Sequence, residues 1–176
     1  MVVGHSLGAL IALDLAIHHA DQLDAVVALN AIYRRSAAAA EAVRKRADEL
    51  SLSQPDASPT IERWFGANPQ DDAAIMAERC QHWLETADPE GYRSAYQVFA
   101  HCDGPADAEL DQLACPALFI TGSDEPNSTP AMSQNMAQRV PSGQAVVIEN
   151  ARHMMPMTHA HETCAPIIAL PSRMGG

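Results

Sequence analysis

A Gly-x-Ser-x-Gly pattern at the start of the chain constrains the fold more than any other part of the sequence. Gly4, Ser6 and Gly8 occupy its fixed positions, between the apolar segments Met1–Val3 and Leu7–Ala20. In this pattern the serine lies on a sharp turn from a strand into a helix, and the flanking glycines let the two elements approach each other. The pattern alone is weak, but the apolar segments supply the context it requires.

Further apolar segments have the length and β-branched content of strands. They are Ala25–Leu29, Ala117–Thr121 and Ala145–Ile148. Because these segments are apolar throughout instead of alternating, they predict strands covered on both faces, in a parallel sheet with crossover helices. Pro130–Arg139 begins with proline, as helices often do, and completes an alternation of strands and helices that is typical of the α/β class.

The segment 33–102 contains no convincing strand and predicts an all-helical insertion between residues 1–32 and 103–176. The expected features are helices at Ser36–Leu50, Ile61–Phe65, Asp71–Thr86 and Pro89–Ala100, with a Ser/Pro-rich loop around Ser51–Pro59. All the aromatic residues except Phe119 lie in this insertion. They form either a small core of its own or the lining of an apolar substrate pocket.

Composition excludes several classes of protein. The net charge of −11 opposes phosphate backbones and anionic lipid, so neither nucleic acid nor a membrane is an expected partner. No apolar run is long enough to span a bilayer, and no secretory segment follows Met1, which predicts a cytoplasmic protein. The cysteines have no C-x-x-C spacing and are expected to be free thiols, at positions Cys80, Cys102, Cys115 and Cys164.

The order of these features resembles the α/β-hydrolase family, in particular its cap-bearing esterases and enol-lactone hydrolases. The resemblance extends to about Ala160 and includes a strand ending in Thr-Gly-Ser-Asp-Glu-Pro at 121–126 and a strand followed by Ala-Arg-His-Met at 151–154. In that family an acid follows the penultimate strand and a histidine follows the last one. The chain order serine, acid, histidine is matched here.

The resemblance implies that Ser6 is a nucleophile and His153 its base. A serine hydroxyl is a weak nucleophile, so it needs a base within hydrogen-bond reach and a third group that orients the base. The family position of the acid falls on Glu125, but Asp124 beside it remains a rival by residue type. Adjacent residues leaving a strand point in different directions, so only one of the two can face His153.

The resemblance also implies one donor for an oxyanion, the backbone N–H of Leu7 at the head of a helix. The family takes its second donor from an upstream His-Gly loop, which this chain does not contain.

His5 is expected to shape the pocket. The pairs His18–His19 and His159–His161 lack a nearby set of carboxylates or thiolates, so neither a metal nor a cofactor is predicted.

The family places several strands before the serine turn, so the sequence predicts the carboxyl-terminal part of a hydrolase, with an exposed sheet edge. At the other end, Pro166 and the segment Pro171–Gly176 are expected to interrupt a closing helix.

The leading functional hypothesis is a serine hydrolase of carboxylic esters or lactones that works through an acyl-enzyme and is impaired by the missing strands. Dehalogenation is disfavoured, because the turn carries serine and not aspartate. One alternative is acyl transfer to a small nucleophile by the same triad. Another is a non-catalytic remnant that acts as an interaction or dimerisation module and forms a homo-oligomer through its exposed sheet edge.

Overall fold

The computed structural model describes residues 1–50 and 56–170, so most of the expected Ser/Pro-rich loop and the whole expected tail 171–176 lie outside the described residues. The chain divides into two compact units. One contains Met1–Tyr33 and the chain from Gly104 onward, and the other is Arg34–Asp103. These junctions differ by one residue from the expected ones, because Tyr33 lies in the first unit and Asp103 in the second.

The first unit contains a four-stranded parallel sheet in the order β1-β2-β3-β4. The strands are β1 Val2–His5, β2 Val26–Leu29, β3 Ala117–Gly122 and β4 Gly143–Ile148. Every residue of β2 and β3 is buried. This agrees with their unbroken apolar sequences, and the predicted α/β fold with a parallel sheet and flanking helices is confirmed.

The helices follow the predicted pattern closely. They are α1 Leu7–His18, α2 Ala37–Glu49, α3 Ser58–Phe65, α4 Asp71–Thr86, α5 Pro89–His101, α6 Asp107–Asp111, α7 Pro130–Arg139, α8 Met155–Thr158 and α9 Ala160–Ile168. No pattern in the sequence predicted α6 or α8. Within residues 1–50 and 56–170, no helix is both long and apolar enough to cross a membrane.

Helix α9 corrects the expectation that Pro166 interrupts the chain's last helix, because the helix runs through that proline to Ile168. Proline removes one backbone donor, whose partner would be the carbonyl four residues earlier. Since α9 ends two residues later, few further helical bonds depend on this position.

One face of the sheet packs into a continuous apolar core. Its buried members are Val27, Leu29, Leu118, Ile120, Ile148, Ala151 and Met155, and the partly buried Val146, Ile167 and Leu170 pack against them. Full burial of such a side chain contributes about 1.5–3 kcal/mol. On the flanks, α1 packs against β1 and β2, and α7 against β3 and β4. The sheet whose carboxyl ends carry the candidate site is therefore packed by the core residues and by α1 and α7.

In the second unit α2 packs against α5, and α3 against α4. Aromatic side chains follow one another along α5, with ring centroids 6.0 Å apart for Tyr92 and Tyr96 and 5.9 Å apart for Tyr96 and Phe99. This ladder favours the interpretation that several aromatic residues pack on one another within the insertion. Trp83 differs, since it is 57% exposed.

Candidate active site

Ser6 occupies a sharp turn between β1 and α1, as the sequence pattern predicts. Its φ of 57° and ψ of −121° lie outside the regions that residues with a side chain normally adopt. Such a conformation costs on the order of 1–3 kcal/mol and persists only where the surroundings enforce it. Here the Ser6 N–H donates to the Leu29 carbonyl at 2.9 Å, and the Ser6 carbonyl accepts from the N–H of Ala9 at 2.9 Å.

Of the two glycines in the pattern, only Gly4 is required by a close approach. A Cβ at Gly4 would overlap the carbonyl of Gly8, whereas a Cβ at Gly8 would meet no atom within 4 Å apart from its chain neighbours and the adjacent backbone of its own helix. The expectation that both glycines make room for strand and helix is therefore wrong for Gly8. The strand and the helix touch through the Gly4 α-carbon, where no side chain fits.

His153 and Glu125 form a buried hydrogen-bonded pair. His153 Nδ1 lies 3.0 Å from Glu125 Oε2, and the carboxylate side chain is 0% exposed. Glu125 Oε1 accepts the backbone N–H groups of Asn127 at 2.9 Å and Ser128 at 3.3 Å. Burial favours the neutral acid, but the hydrogen bond and charge of His153 and the two N–H donors outweigh it, so the pKa of Glu125 is lowered.

Asp124, the rival acid, points elsewhere. It is exposed, and its Oδ1 accepts a hydrogen bond from the hydroxyl of Ser123 at 3.0 Å. Its backbone N–H donates to the carbonyl of Ala151 at 3.0 Å. The structure therefore brings Glu125, and not Asp124, to His153.

The loop after β4 lies against the end of β3 on its way to His153. The N–H of Asn150 donates to Ser123 Oγ at 2.8 Å. A Cβ at Gly122 would overlap the carbonyl of Ala151. This close approach explains why β3 ends in glycine.

The imidazole of His5 packs against that of His153, with ring centroids 4.8 Å apart. His5 Nε2 lies 2.8 Å from the main-chain carbonyl oxygen of His153. Burial, followed by the charge of His153, lowers the pKa of His5 to about 4. His5 is therefore neutral at pH 7, and Nε2 must carry the ring proton, because a carbonyl oxygen only accepts.

Sequence reasoning missed Asn30, which directly follows β2. Asn30 is buried, has a φ of 51°, and donates from Nδ2 to the carbonyl of His153 at 2.8 Å. Its Oδ1 lies 3.1 Å from the hydroxyl of Thr121 in β3. A polar residue at the carboxyl end of a buried parallel strand is the signal that could have found it.

The remaining candidates make contacts of their own. Leu7 is the first residue of α1, so its N–H has no helical carbonyl to bond and belongs to the positive end of the helix. His18 lies beside Asp14, and His159 Nδ1 lies beside the hydroxyl of Thr158. Among the described residues, no group of three or more His, Cys, Asp or Glu side chains is arranged to hold a metal ion.

The chain belongs to the alpha/beta hydrolase family, whose sequence pattern matches residues 1–166. It is 40% identical over 157 residues to the (E)-2-((N-methylformamido)methylene)succinate hydrolase of Acinetobacter baylyi, covering 89% of this chain and 59% of the relative. It is 27% identical over 146 residues to 3-oxoadipate enol-lactonase 2 of the same organism, covering 83% of this chain and 54% of that protein. The chain thus spans a little over half the length of these curated relatives.

Among solved structures, the chain is similar to a thermophilic esterase from Thermogutta terrifontis. The TM-score is 0.78 at 25% identity, covering 95% of this chain and 62% of the esterase. The predicted resemblance to cap-bearing esterases and enol-lactone hydrolases is therefore confirmed at the level of the family.

Proposed function

We propose that this chain carries the catalytic triad of a serine hydrolase that cleaves small carboxylic esters or lactones. The observation that carries the proposal is the buried pair of Glu125 and His153, 3.0 Å apart, in a chain whose only Gly-x-Ser-x-Gly turn leaves β1 at Ser6. Strands β1, β3 and β4 are parallel, so the loops that follow them emerge at the same edge of the sheet.

In this mechanism Ser6 Oγ attacks the carbonyl carbon and its proton passes to His153 Nε2, because Nδ1 donates to Glu125. The negative charge of Glu125 stabilises the imidazolium that results. The N–H of Leu7 donates to the developing oxyanion. The C–O bond to the leaving group then breaks, and His153 returns the proton to that oxygen, which leaves an ester on Ser6.

In the second half of the reaction His153 takes a proton from water, and the hydroxide oxygen attacks the acyl carbon. The Ser6–acyl bond breaks, the proton returns to Ser6 Oγ, and the carboxylic acid departs.

The names of two relatives support small carboxylate-bearing substrates, since one refers to a substituted succinate and the other to an enol-lactone of 3-oxoadipate.

The test is turnover of p-nitrophenyl acetate and of a small enol-lactone, together with labelling by a fluorophosphonate probe. Ser6→Ala should abolish turnover and labelling. Ser133→Ala is the matched control, because it removes a buried serine hydroxyl in α7 that has no hydrogen-bond partner among the described residues. A wild-type chain that neither turns over nor takes the label contradicts the proposal.

Acyl transfer by the same triad would differ only in the group that attacks the acyl-enzyme. Product analysis with competing alcohols tests it, since hydrolysis yields the free acid and transfer yields a new ester. We also propose that the reaction takes place in the cytoplasm, a reducing compartment in which the four cysteines of the chain would stay as thiols. Thiol titration of protein purified without reductant should then find four reactive groups after unfolding.

A second candidate, an interaction module, is favoured by the outer edge of β1. No described strand pairs with that edge. Apolar side chains are exposed on β1 and α1, with Val3 at 46% and Ile11 at 61%. We propose that a second copy of the chain pairs there, as exposed strand edges tend to do. Light scattering should show a dimer that Val3→Lys converts to a monomer, and a wild-type monomer would contradict this.

The role of the helical unit as a cap that selects the substrate stays a proposal. It predicts that substitutions of Trp83 and other aromatic residues of Arg34–Asp103 change KM between substrates more than they change kcat. Equal KM values across a panel of short and long acyl esters would contradict it.

A further inference from the structure

The histidine of the proposed triad comes from the strand farthest from the serine. In the order β1-β2-β3-β4, the strand before Ser6 and the strand before His153 form opposite edges of the sheet. Neighbouring strands are about 4.8 Å apart, so about 14 Å separates β1 from β4. The loop after β4 must therefore cross the ends of β3 and β2 before His153 can serve Ser6.

The structure shows what holds the loop at the end of this crossing. The carbonyl oxygen of His153 accepts two hydrogen bonds of 2.8 Å, one from Asn30 Nδ2 and one from His5 Nε2. Asn30 directly follows β2, and His5 is the last residue of β1. Both lone pairs of one main-chain oxygen are thus bound by side chains from the two strands nearest Ser6.

Asn30 is itself fixed in orientation. Its Oδ1 lies 3.1 Å from the hydroxyl of Thr121, whose one proton it shares with the carbonyl of Ser128 at 2.7 Å. Its N–H donates to the Ile120 carbonyl at 2.8 Å. The reverse orientation of the amide would press Oδ1 against the His153 carbonyl oxygen, and two acceptors cannot bond. The bond from Nδ2 to the His153 carbonyl therefore sets the orientation of the buried amide.

We propose that Asn30 and His5 are positioning residues that hold the backbone of His153 over the end of β1, so that its imidazole can act on Ser6. This inference rests on the proposed hydrolase function. Glu125 fixes the ring of His153 through Nδ1, while Asn30 and His5 fix its backbone. Both side chains donate to the main-chain carbonyl of His153, and the ring of His5 also packs against its imidazole.

The test uses substitutions that remove one donor each. Asn30→Asp keeps the shape and tolerates the positive φ but offers an oxygen to the carbonyl, and Asn30→Gly keeps the backbone conformation without burying a charge. His5→Phe removes the donor, whereas His5→Gln retains an amide donor and serves as the conservative rescue. Thr163→Ala is the matched control, because its buried hydroxyl donates to another carbonyl, that of Met155, at 3.3 Å.

Displacement of a catalytic group by about 1 Å can cost on the order of 100-fold in rate. We therefore expect Asn30→Gly and His5→Phe to lower kcat by about 100-fold with little change in KM, and His5→Gln to recover most of the loss. Thr163→Ala should retain the wild-type kcat. Urea unfolding of each variant separates loss of positioning from loss of the fold.

A second readout does not depend on turnover. Proton NMR should show a downfield resonance from the His153 Nδ1–H that bonds to Glu125, assigned by its loss in Glu125→Gln. We expect this resonance to broaden or vanish in Asn30→Gly and to remain in Thr163→Ala. If Asn30→Gly keeps the resonance and matches the kcat of Thr163→Ala, the proposal is wrong. If the wild type has no turnover, the hydrolase proposal fails, and the resonance alone decides the positioning.

Discussion

Asp124 and Glu125 are neighbours in the chain, yet only one of them can orient a histidine. The carboxylate of Asp124 is in solvent, where water solvates its charge, and bonds only to Ser123 among the described residues. That of Glu125 is buried and is satisfied by His153 and two backbone N–H groups. The two adjacent side chains leave the loop after β3 in different directions, and only that of Glu125 points to His153.

Glu125→Gln should lower kcat by about 1000- to 10,000-fold while leaving KM nearly unchanged. The amide cannot stabilise an imidazolium, and its NH2 group can hold His153 in the wrong tautomer, the effect known for the equivalent change in a serine protease. Steady-state hydrolysis of p-nitrophenyl acetate measures both kcat and KM. The rival variant, Asp124→Asn, should stay within about twofold of the wild type; a large loss there would assign the acid to Asp124 instead.

At the scale of elements, the junction of β1 and α1 offers a matched pair of glycine substitutions. Gly4→Ala should destabilise the chain by more than about 2 kcal/mol, because its Cβ would overlap the backbone of Gly8. Gly8→Ala should stabilise it by about 1 kcal/mol, since that site is open and alanine favours the helix. Urea unfolding gives both values, and equal effects of the two changes would contradict the packing described for this turn.

In the helical unit, Arg35 ties the start of the insertion to its end. Its side chain is 3% exposed, donates to the carbonyls of Phe99 and Ala100, and pairs with Asp103 at 3.0 Å. Its guanidinium also lies 4.5 Å from the centroid of the Phe99 ring.

Arg35→Met should therefore lower the free energy of unfolding by about 2–4 kcal/mol, because these carbonyls and Asp103 lose a charged donor. Hydrogen exchange should increase most at the end of α5. Arg44→Met, which removes an exposed arginine from α2, is the control. If the backbone amides of Phe99 and Ala100 exchange at the same rate in both variants, the contacts of Arg35 do not stabilise the helical unit.

At the scale of the whole molecule, local sequence was enough to predict the strands and most helices, and with the family resemblance it placed Ser6 at a turn after β1 and His153 in the loop after β4. Each of these depends on neighbours in the chain: apolar runs, a glycine pattern, a loop after a strand. The position of Asn30 after β2 marks it as a candidate, but its partner His153 lies 123 positions away in the chain, and no local pattern encodes that pairing. The choice between Asp124 and Glu125 likewise depends on which way a loop turns once the sheet has formed.

As the pH is lowered, the free energy of unfolding should fall in two steps, the first due to His5 and the second to Glu125. The pKa of His5 is about 4 in the folded chain, against an ordinary value of 6.5. Between these values the unfolded chain binds more protons, so the contribution of His5 is complete above pH 6.5 and is lost as the pH falls toward 4. The pKa of Glu125 is also lowered, so its contribution is lost in turn as the pH falls below about 4.5.

Urea unfolding at pH 7, 5.5 and 4.5 measures the first step, whose size is on the order of 1–3 kcal/mol. His5→Gln cannot take up a proton, so its free energy of unfolding should change less over this range than that of the wild type. His82→Gln removes an exposed imidazole from α4 and is the matched control. If His5→Gln and His82→Gln depend on pH in the same way, burial of His5 against His153 does not govern the stability. If only His5→Gln flattens the curve, the contact that positions His153 is also the one that makes the fold sensitive to acid.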